Sequence, residues 1–138
     1  MFVLDTDILT LFLRGHERIT ARRAQVMEEV ALTTVTRIEM LQGRFAAILK
    51  AENGEMLLRA QQRLIETEKD LRQFMILVVN GAAAAVFDDL RQNRKLKKIR
   101  RGDLLIAAIT LASRAKLATR NLKDFMRVPG LQAENWAD

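Results

Sequence analysis

Residues 103–119, DLLIAAITLASRAKLAT, decide the fold. Between Leu104 and Leu111 only Thr110 is polar, so a helix over this stretch is apolar on nearly all sides. A helix of that kind is buried against a sheet rather than laid over one. It feeds Leu117-Ala118-Thr119, which reads as a brief strand. Upstream the same alternation repeats. Phe2-Val3-Leu4 is a short apolar run of strand type that ends at Asp5, and Ile8 to Leu13 continues as a helix that Asp7 is suited to cap. Glu17 to Val30 is polar and helix-compatible, and Ala31 to Val35 is a second strand rich in β-branched residues. Thr36 is placed to cap the next helix, with Glu39 at capping-box spacing. Glu55 to Phe74 predicts a long amphipathic helix with Leu57, Ala60, Leu64, Leu71 and Phe74 along one face. On its surface Glu68 and Arg72 are spaced to pair. Met75 to Val79 is a third strand, Ala82 to Lys98 another helix, and Leu131 to Glu134 a candidate fifth strand. Strands alternating with helices predict an α/β domain: an open parallel sheet of four to five strands with helices on both faces, formed by residues 1–138 as one unit.

Composition narrows the chemistry. The chain of 138 residues has no cysteine, which excludes a thiolate zinc site, a thiol nucleophile and a disulfide framework. With one histidine, His16, an imidazole-rich metal site or a Ser-His-Asp relay is not expected, and His16 reads as a surface residue. Aromatic residues are only 5%, so base-stacking platforms are poorly supplied. Met1–Leu13 is interrupted by Asp5 and Asp7 and has no cationic leader, so neither a signal peptide nor a membrane span is expected, and the cytoplasm is the default compartment. The formal charge is +6, and seven of the eleven residues from Arg91 to Arg101 are Lys or Arg. That run is either a solvated helix end or a patch that follows a phosphate backbone, with Arg94, Lys95, Lys97, Lys98, Arg100 and Arg101 as its contacts.

Four acids fall where an open parallel sheet keeps its ligand site, beyond the carboxyl ends of the strands. Asp5 ends the first strand, Glu39 lies in the first turn after the second, Asp103 opens the buried helix, and Asp124 follows the fourth strand. Each has a plainer role open to it. Asp103 after Gly102 is a natural N-cap, Glu39 the reciprocal member of a capping box, and Asp124 a turn residue. Together they repel: two carboxylates about 4 Å apart cost on the order of 4 kcal/mol at an effective dielectric near 20. Such a cluster must hold protons or bind cations, and oxygen-only ligation suits Mg²⁺ or Mn²⁺.

Four segments carry a resemblance: FVLDTDILTLF at the start, LTTVTRIEMLQG around Glu39, RGDLLIAAITLA from Arg101, and LATRNLKDFMRVPGLQAENW near the end. In order and spacing they resemble the motifs of PIN-domain ribonucleases, particularly the VapC-type toxins of bacterial toxin–antitoxin pairs. The resemblance implies an endoribonuclease dependent on Mg²⁺ or Mn²⁺. It implies metal-binding, catalytic acids at Asp5, Glu39, Asp103 and Asp124. Thr6, Thr119 and Asn121 would then support ligands or orient the attacking water. It further implies a structured RNA substrate such as tRNA or rRNA, a cognate antitoxin and a homodimer. One departure stands out: KKIRRGD carries arginines before the glycine, which alters how an RNA backbone would enter.

Three other readings remain open on the residues alone. One is an inactive RNA-binding module resting on the basic run. A second is a Mg²⁺-binding receiver-like signalling domain, although Asn80 and Gly81 stand where its acceptor aspartate belongs. The third is an association protein whose partner groove is formed by Leu57 to Phe74 and the helix near Ile19.

Overall fold

The computed structural model describes residues 1–138 and contains five strands and seven α-helices in alternation. The strands are β1 (Phe2–Leu4), β2 (Val30–Thr33), β3 (Met75–Leu77), β4 (Lys116–Ala118) and β5 (Ala133–Glu134). All pair in parallel, in the order β3-β2-β1-β4-β5. The helices are α1 (Thr6–Leu13), α2 (Glu17–Gln25), α3 (Thr34–Lys50), α4 (Gly54–Arg72), α5 (Gly81–Gln92), α6 (Arg101–Ala112) and α7 (Leu122–Phe125). The expected open parallel sheet is present with all five strands.

Side-chain alternation along β1 divides the core in two. Phe2 and Leu4 face one side, where they pack with Ile8, Leu9, Ile19, Leu71 and Trp136. Val3 faces the other, with Leu104, Ile106, Ile109, Leu117 and Phe125. The second layer explains why α6 is apolar all round: Ala107 and Ala108 are as buried as its larger residues. Thr110, the one polar side chain among its buried residues, is silenced by donating to the Ile106 carbonyl at 2.7 Å.

Several local expectations change. α2 stops at Gln25, so Val30 belongs to β2. β2 ends at Thr33, whose hydroxyl caps α3 by accepting from the Thr36 amide at 3.2 Å. The capping box centred on Thr36 therefore does not form, and Glu39 is released from a capping role. On α4, Ala60 and Leu71 are buried, but Leu57 is 44% exposed. The ion pair on this helix joins Glu55 to Arg59 at 2.6 Å rather than Glu68 to Arg72. The helix predicted over Ala82 to Lys98 breaks at Asn93, whose extended backbone ends α5 and whose side chain caps a single 3₁₀ turn over Arg94–Leu96. His16 is not idle on the surface: its Nδ1 accepts from the Ile19 amide at 3.4 Å and caps α2. Ile19 is fully buried, which removes it from any partner groove. No helix is long and apolar enough to cross a membrane.

The strand order reverses between β1 and β4: β2 and β3 extend the sheet on one side, β5 on the other. A crevice opens at such a switch point, beyond the carboxyl ends of the two strands. Leu4 pairs with Ala118, so the residues that border the crevice are Asp5 and Thr119.

Candidate active site

Asp5 leaves β1 with extended backbone and becomes the N-cap of α1, its Oδ1 accepting from the Ile8 amide at 2.9 Å. The cap is thus Asp5 and not Asp7, because the residue with extended geometry immediately before the first helical turn takes that role. The second carboxylate oxygen of Asp5 accepts a short hydrogen bond from the Thr119 hydroxyl, which ties β1 to β4 across the crevice. At 6% exposure Asp5 is buried, and no cation stands within ion-pair distance of it. Burial pushes its pKa up to about 6, with the charges of Asp7 and Asp103 adding to the effect and the Thr119 and Ile8 hydrogen bonds opposing it.

Glu39 lies in the second turn of α3, facing α1. Its Oε1 accepts from the Thr6 hydroxyl at 2.8 Å, and that hydroxyl lies 3.0 Å from Thr36 Oγ1. Asp103 lies in the first turn of α6 and does not cap it; the N-cap position is Arg100, which makes no side-chain cap. Instead the Arg100 guanidinium donates to Asp103 Oδ1 at 3.3 Å and reaches Glu39 Oε2 at 3.7 Å. The hydrogen bond and charge of Asp103, with the charges of Glu39 and Asp7, raise the pKa of Arg100 above its ordinary value.

These side chains enclose a cleft of about 200 Å³, lined by Asp5, Thr6, Asp7, Glu39, Arg100, Asp103 and Ile106. Asp7, exposed on the first turn of α1, is the acid that reading it as a helix cap missed. A helix that begins at the rim presents its whole first turn there, and the Asp5-Thr6-Asp7 cluster carried that signal. Asp124 stands outside the cleft lining. On the short α7 its carboxylate accepts from Asn121 Nδ2 at 3.0 Å, and the Asn121 amide donates to Thr119 Oγ1 at 3.0 Å. A continuous hydrogen-bonded path therefore runs from Asp124 through Asn121 and Thr119 to Asp5.

The donor set suits a hard divalent ion. Every candidate ligand is an oxygen, and four carboxylates face a single guanidinium around the cleft. With all four ionised, three negative charges are left without a counter-charge. Asp5, Asp7, Glu39 and Asp103 all line the cleft and are the side chains that could hold an ion there. The tight four-acid convergence expected from the sequence is not reached: no three acidic side chains stand close enough to form a complete cage. Arg100 draws Glu39 and Asp103 toward itself, and Asp124 is held behind Thr119.

The basic residues divide. Arg100 belongs to the cleft. Arg94, Lys95, Lys97, Lys98 and Arg101 are all exposed, the first two on the 3₁₀ turn.

The sequence from residue 2 to residue 131 matches the family model described as PIN domain. The chain belongs to the PIN-domain family. Ribonuclease VapC1 of Haemophilus influenzae is 26% identical to this PIN domain over 141 aligned positions, covering 99% of the chain and 98% of that protein. Ribonuclease VapC2 of Rickettsia felis is 25% identical with the same coverage. Among solved structures, VapBC-1 from nontypeable Haemophilus influenzae superposes with a TM-score of 0.79 at 25% identity, covering 99% of this chain and 98% of that one. DNA-bound VapBC from Salmonella typhimurium does so with a TM-score of 0.80 at 23% identity, covering 98% and 97%. The PIN fold places the candidate acids at the rim of its sheet.

Proposed function

We propose that this PIN domain is a metal-dependent endoribonuclease, the toxin of a type II toxin–antitoxin pair. The observation that carries the reading is the buried, cation-free Asp5 at the sheet's switch point, sharing one cleft with Glu39 and Asp103. The full-length likeness to ribonucleases of the VapC type supports the reaction class. Asp5 and Asp103 hold Mg²⁺ or Mn²⁺, with Glu39 and Asp124 completing or tuning the site. Such an ion supplies Lewis-acid charge for a phosphodiester and a water of lowered pKa. The protein's own part is positional. Thr119 and the Ile8 amide fix both oxygens of Asp5, Thr6 orients Glu39, and Asn121 steadies Asp124 behind Thr119. Arg94, Lys95, Lys97, Lys98 and Arg101 hold the RNA backbone, while Arg100 is engaged by Asp103 and Glu39 at the cleft.

The substrate is a structured RNA of the tRNA or rRNA class, acted on in the cytoplasm, and a cognate antitoxin restrains the enzyme. Phe45, Leu49, Leu57 and Leu58 leave apolar surface exposed on α3 and α4, which suits the antitoxin or a second copy in a homodimer. The test is incubation of total RNA with the wild-type protein and with Asp5→Asn, each with Mg²⁺, with Mn²⁺ and with chelator. Fragments from the wild type that vanish with chelator and in the variant are expected. RNA binding without metal-stimulated cleavage would replace the nuclease with a binding module.

A further inference from the structure

On the other side of the first turn of α6 lies a second hollow, of about 300 Å³, lined by Arg91, Lys97 and Arg101 over Leu96, Ile99 and Leu104. Its electrostatics are the reverse of the acid cleft. No acidic residue lines it, and none of its three cations has a carboxylate within 4.0 Å, since the six ion pairs of the molecule involve other residues. Its floor is firm: Leu96, Ile99 and Leu104 are each at most 7% exposed and belong to the core cluster around α6. Arg91 is braced from the side, its guanidinium 5.8 Å from the centre of the Phe87 ring. Three unpaired cations gathered on a rigid floor have a common electrostatic need, and a polyanion meets it.

The hollow and the cleft are neighbours on one helix. Arg101 and Leu104 face the hollow, while Arg100, Asp103 and Ile106 face the cleft. Two such ridges are separated by no more than the width of a helix, about 10 Å with its side chains. A strand whose reacting phosphodiester lies over excess negative charge is repelled there and needs a cationic hold close by. Arg100 is poorly placed to give it, being engaged by Asp103 and Glu39.

We propose that Arg91, Lys97 and Arg101 form a phosphate subsite, which grips the RNA backbone one or two nucleotides from the phosphodiester held at the acid cleft. The inference rests on the ribonuclease reading above and deepens it. The subsite gives affinity and register without reading bases, because its polar groups are cations and its floor is closed.

The test measures binding of a short fluorescein-labelled oligouridine to the Asp5→Asn protein in Mg²⁺ over a range of salt. For single strands each phosphate contact contributes about 0.7 to the slope of log K against log salt. Arg91→Ala, Lys97→Ala and Arg101→Ala are each expected to reduce the slope by about 0.7, and the triple variant by about 2. Lys50→Ala, which removes the same charge at the far end of α3, is expected to leave it unchanged. Thermal melts establish that each variant is folded. In a short RNA that the wild-type protein cuts at one mapped linkage, a single methylphosphonate one or two linkages from the cut should abolish the difference in cleavage rate between wild type and Arg101→Ala, whereas one placed farther away should preserve it.

Equal effects of Lys50→Ala and the three hollow variants would overturn the subsite, as would a methylphosphonate effect with no positional maximum. Oligouridine binding unchanged in the triple variant, with binding of an oligoglutamate peptide lost, would reassign the hollow to an acidic peptide. Failure of the ribonuclease reading looks different: the wild type would cleave no RNA in any metal, whatever the hollow variants do.

Discussion

Asp5 and Glu134 stand on either side of β4, one directly after β1 and the other at the end of β5, yet their surroundings differ sharply. Glu134 is partly buried, which works against its charge. Hydrogen bonds from Arg22 at 2.7 Å and Trp136 at 2.7 Å, with the charges of Arg22 and Lys116, outweigh that and hold its carboxyl below the usual range. The Arg22 guanidinium also lies 5.9 Å from the Phe2 ring and 5.8 Å from that of Trp136, so the whole corner is cross-braced. Asp5 is more deeply buried and receives only neutral donors. One carboxylate is satisfied, and the other is kept short of a cation. That contrast separates an acid whose charge is balanced inside the fold from one whose charge is not.

The sharpest break of the comparison is catalytic. Asp5→Asn is expected to reduce RNA cleavage by at least about a thousandfold, several kcal/mol of transition-state stabilisation, while Glu134→Gln keeps activity within a few-fold. Cleavage rates on total RNA decide it; comparable losses in both variants would erase the distinction.

Stability of the metal-free protein should move the other way. A folded pKa near 6 against the ordinary 3.8 means that folding favours the protonated acid, so stability falls as pH rises through that window. Above pH 7 the ionised Asp5 costs up to about 3 kcal/mol. Asp5→Asn should therefore raise the melting temperature in chelator at pH 7.5, and the gain should vanish below pH 4. A destabilised Asp5→Asn across that range would show that the buried charge is compensated.

Arg100 offers an intermediate effect. It supplies the only cation in the cleft, so Arg100→Ala should tighten Mg²⁺ binding severalfold by isothermal titration. Weaker binding would make the guanidinium a support of the site rather than a competitor for it. The smallest effect belongs to Glu134→Gln, expected to cost less than about 1 kcal/mol because the Arg22 pair is substantially exposed. Its pH dependence has the opposite sign to that of Asp5: the Glu134 contribution is present above the ordinary glutamate pKa and is lost as pH falls through the lowered folded value.

Much of this arrangement was legible in residue order. The apolar run after Asp103 demanded burial in the layer it occupies, and the strands at Phe2-Val3-Leu4 and Leu117-Ala118 followed from their apolar character. What escaped is what depends on where a chain turns. Asp5 and Asp7 are both able to cap, as are Thr33 and Thr36, and only the backbone leaving each strand selects between them. Asp124 escaped for a related reason: spacing placed it near the rim, but the Asn121 side chain, donating from Nδ2, holds it behind Thr119. The ion pair of Arg100 with Glu39 joins α6 to α3 across a crossover, a contact that no local pattern records.

The amide of Asp5 donates to the Ala118 carbonyl at 3.0 Å, which extends the ladder of the central strand by one residue. Its deuterium exchange should accordingly proceed through whole-domain opening, unlike that of residues at fraying helix ends. Heating would then silence the enzyme together with the loss of its cooperative structure, with no earlier stage in which an intact domain carries a loosened Asp5.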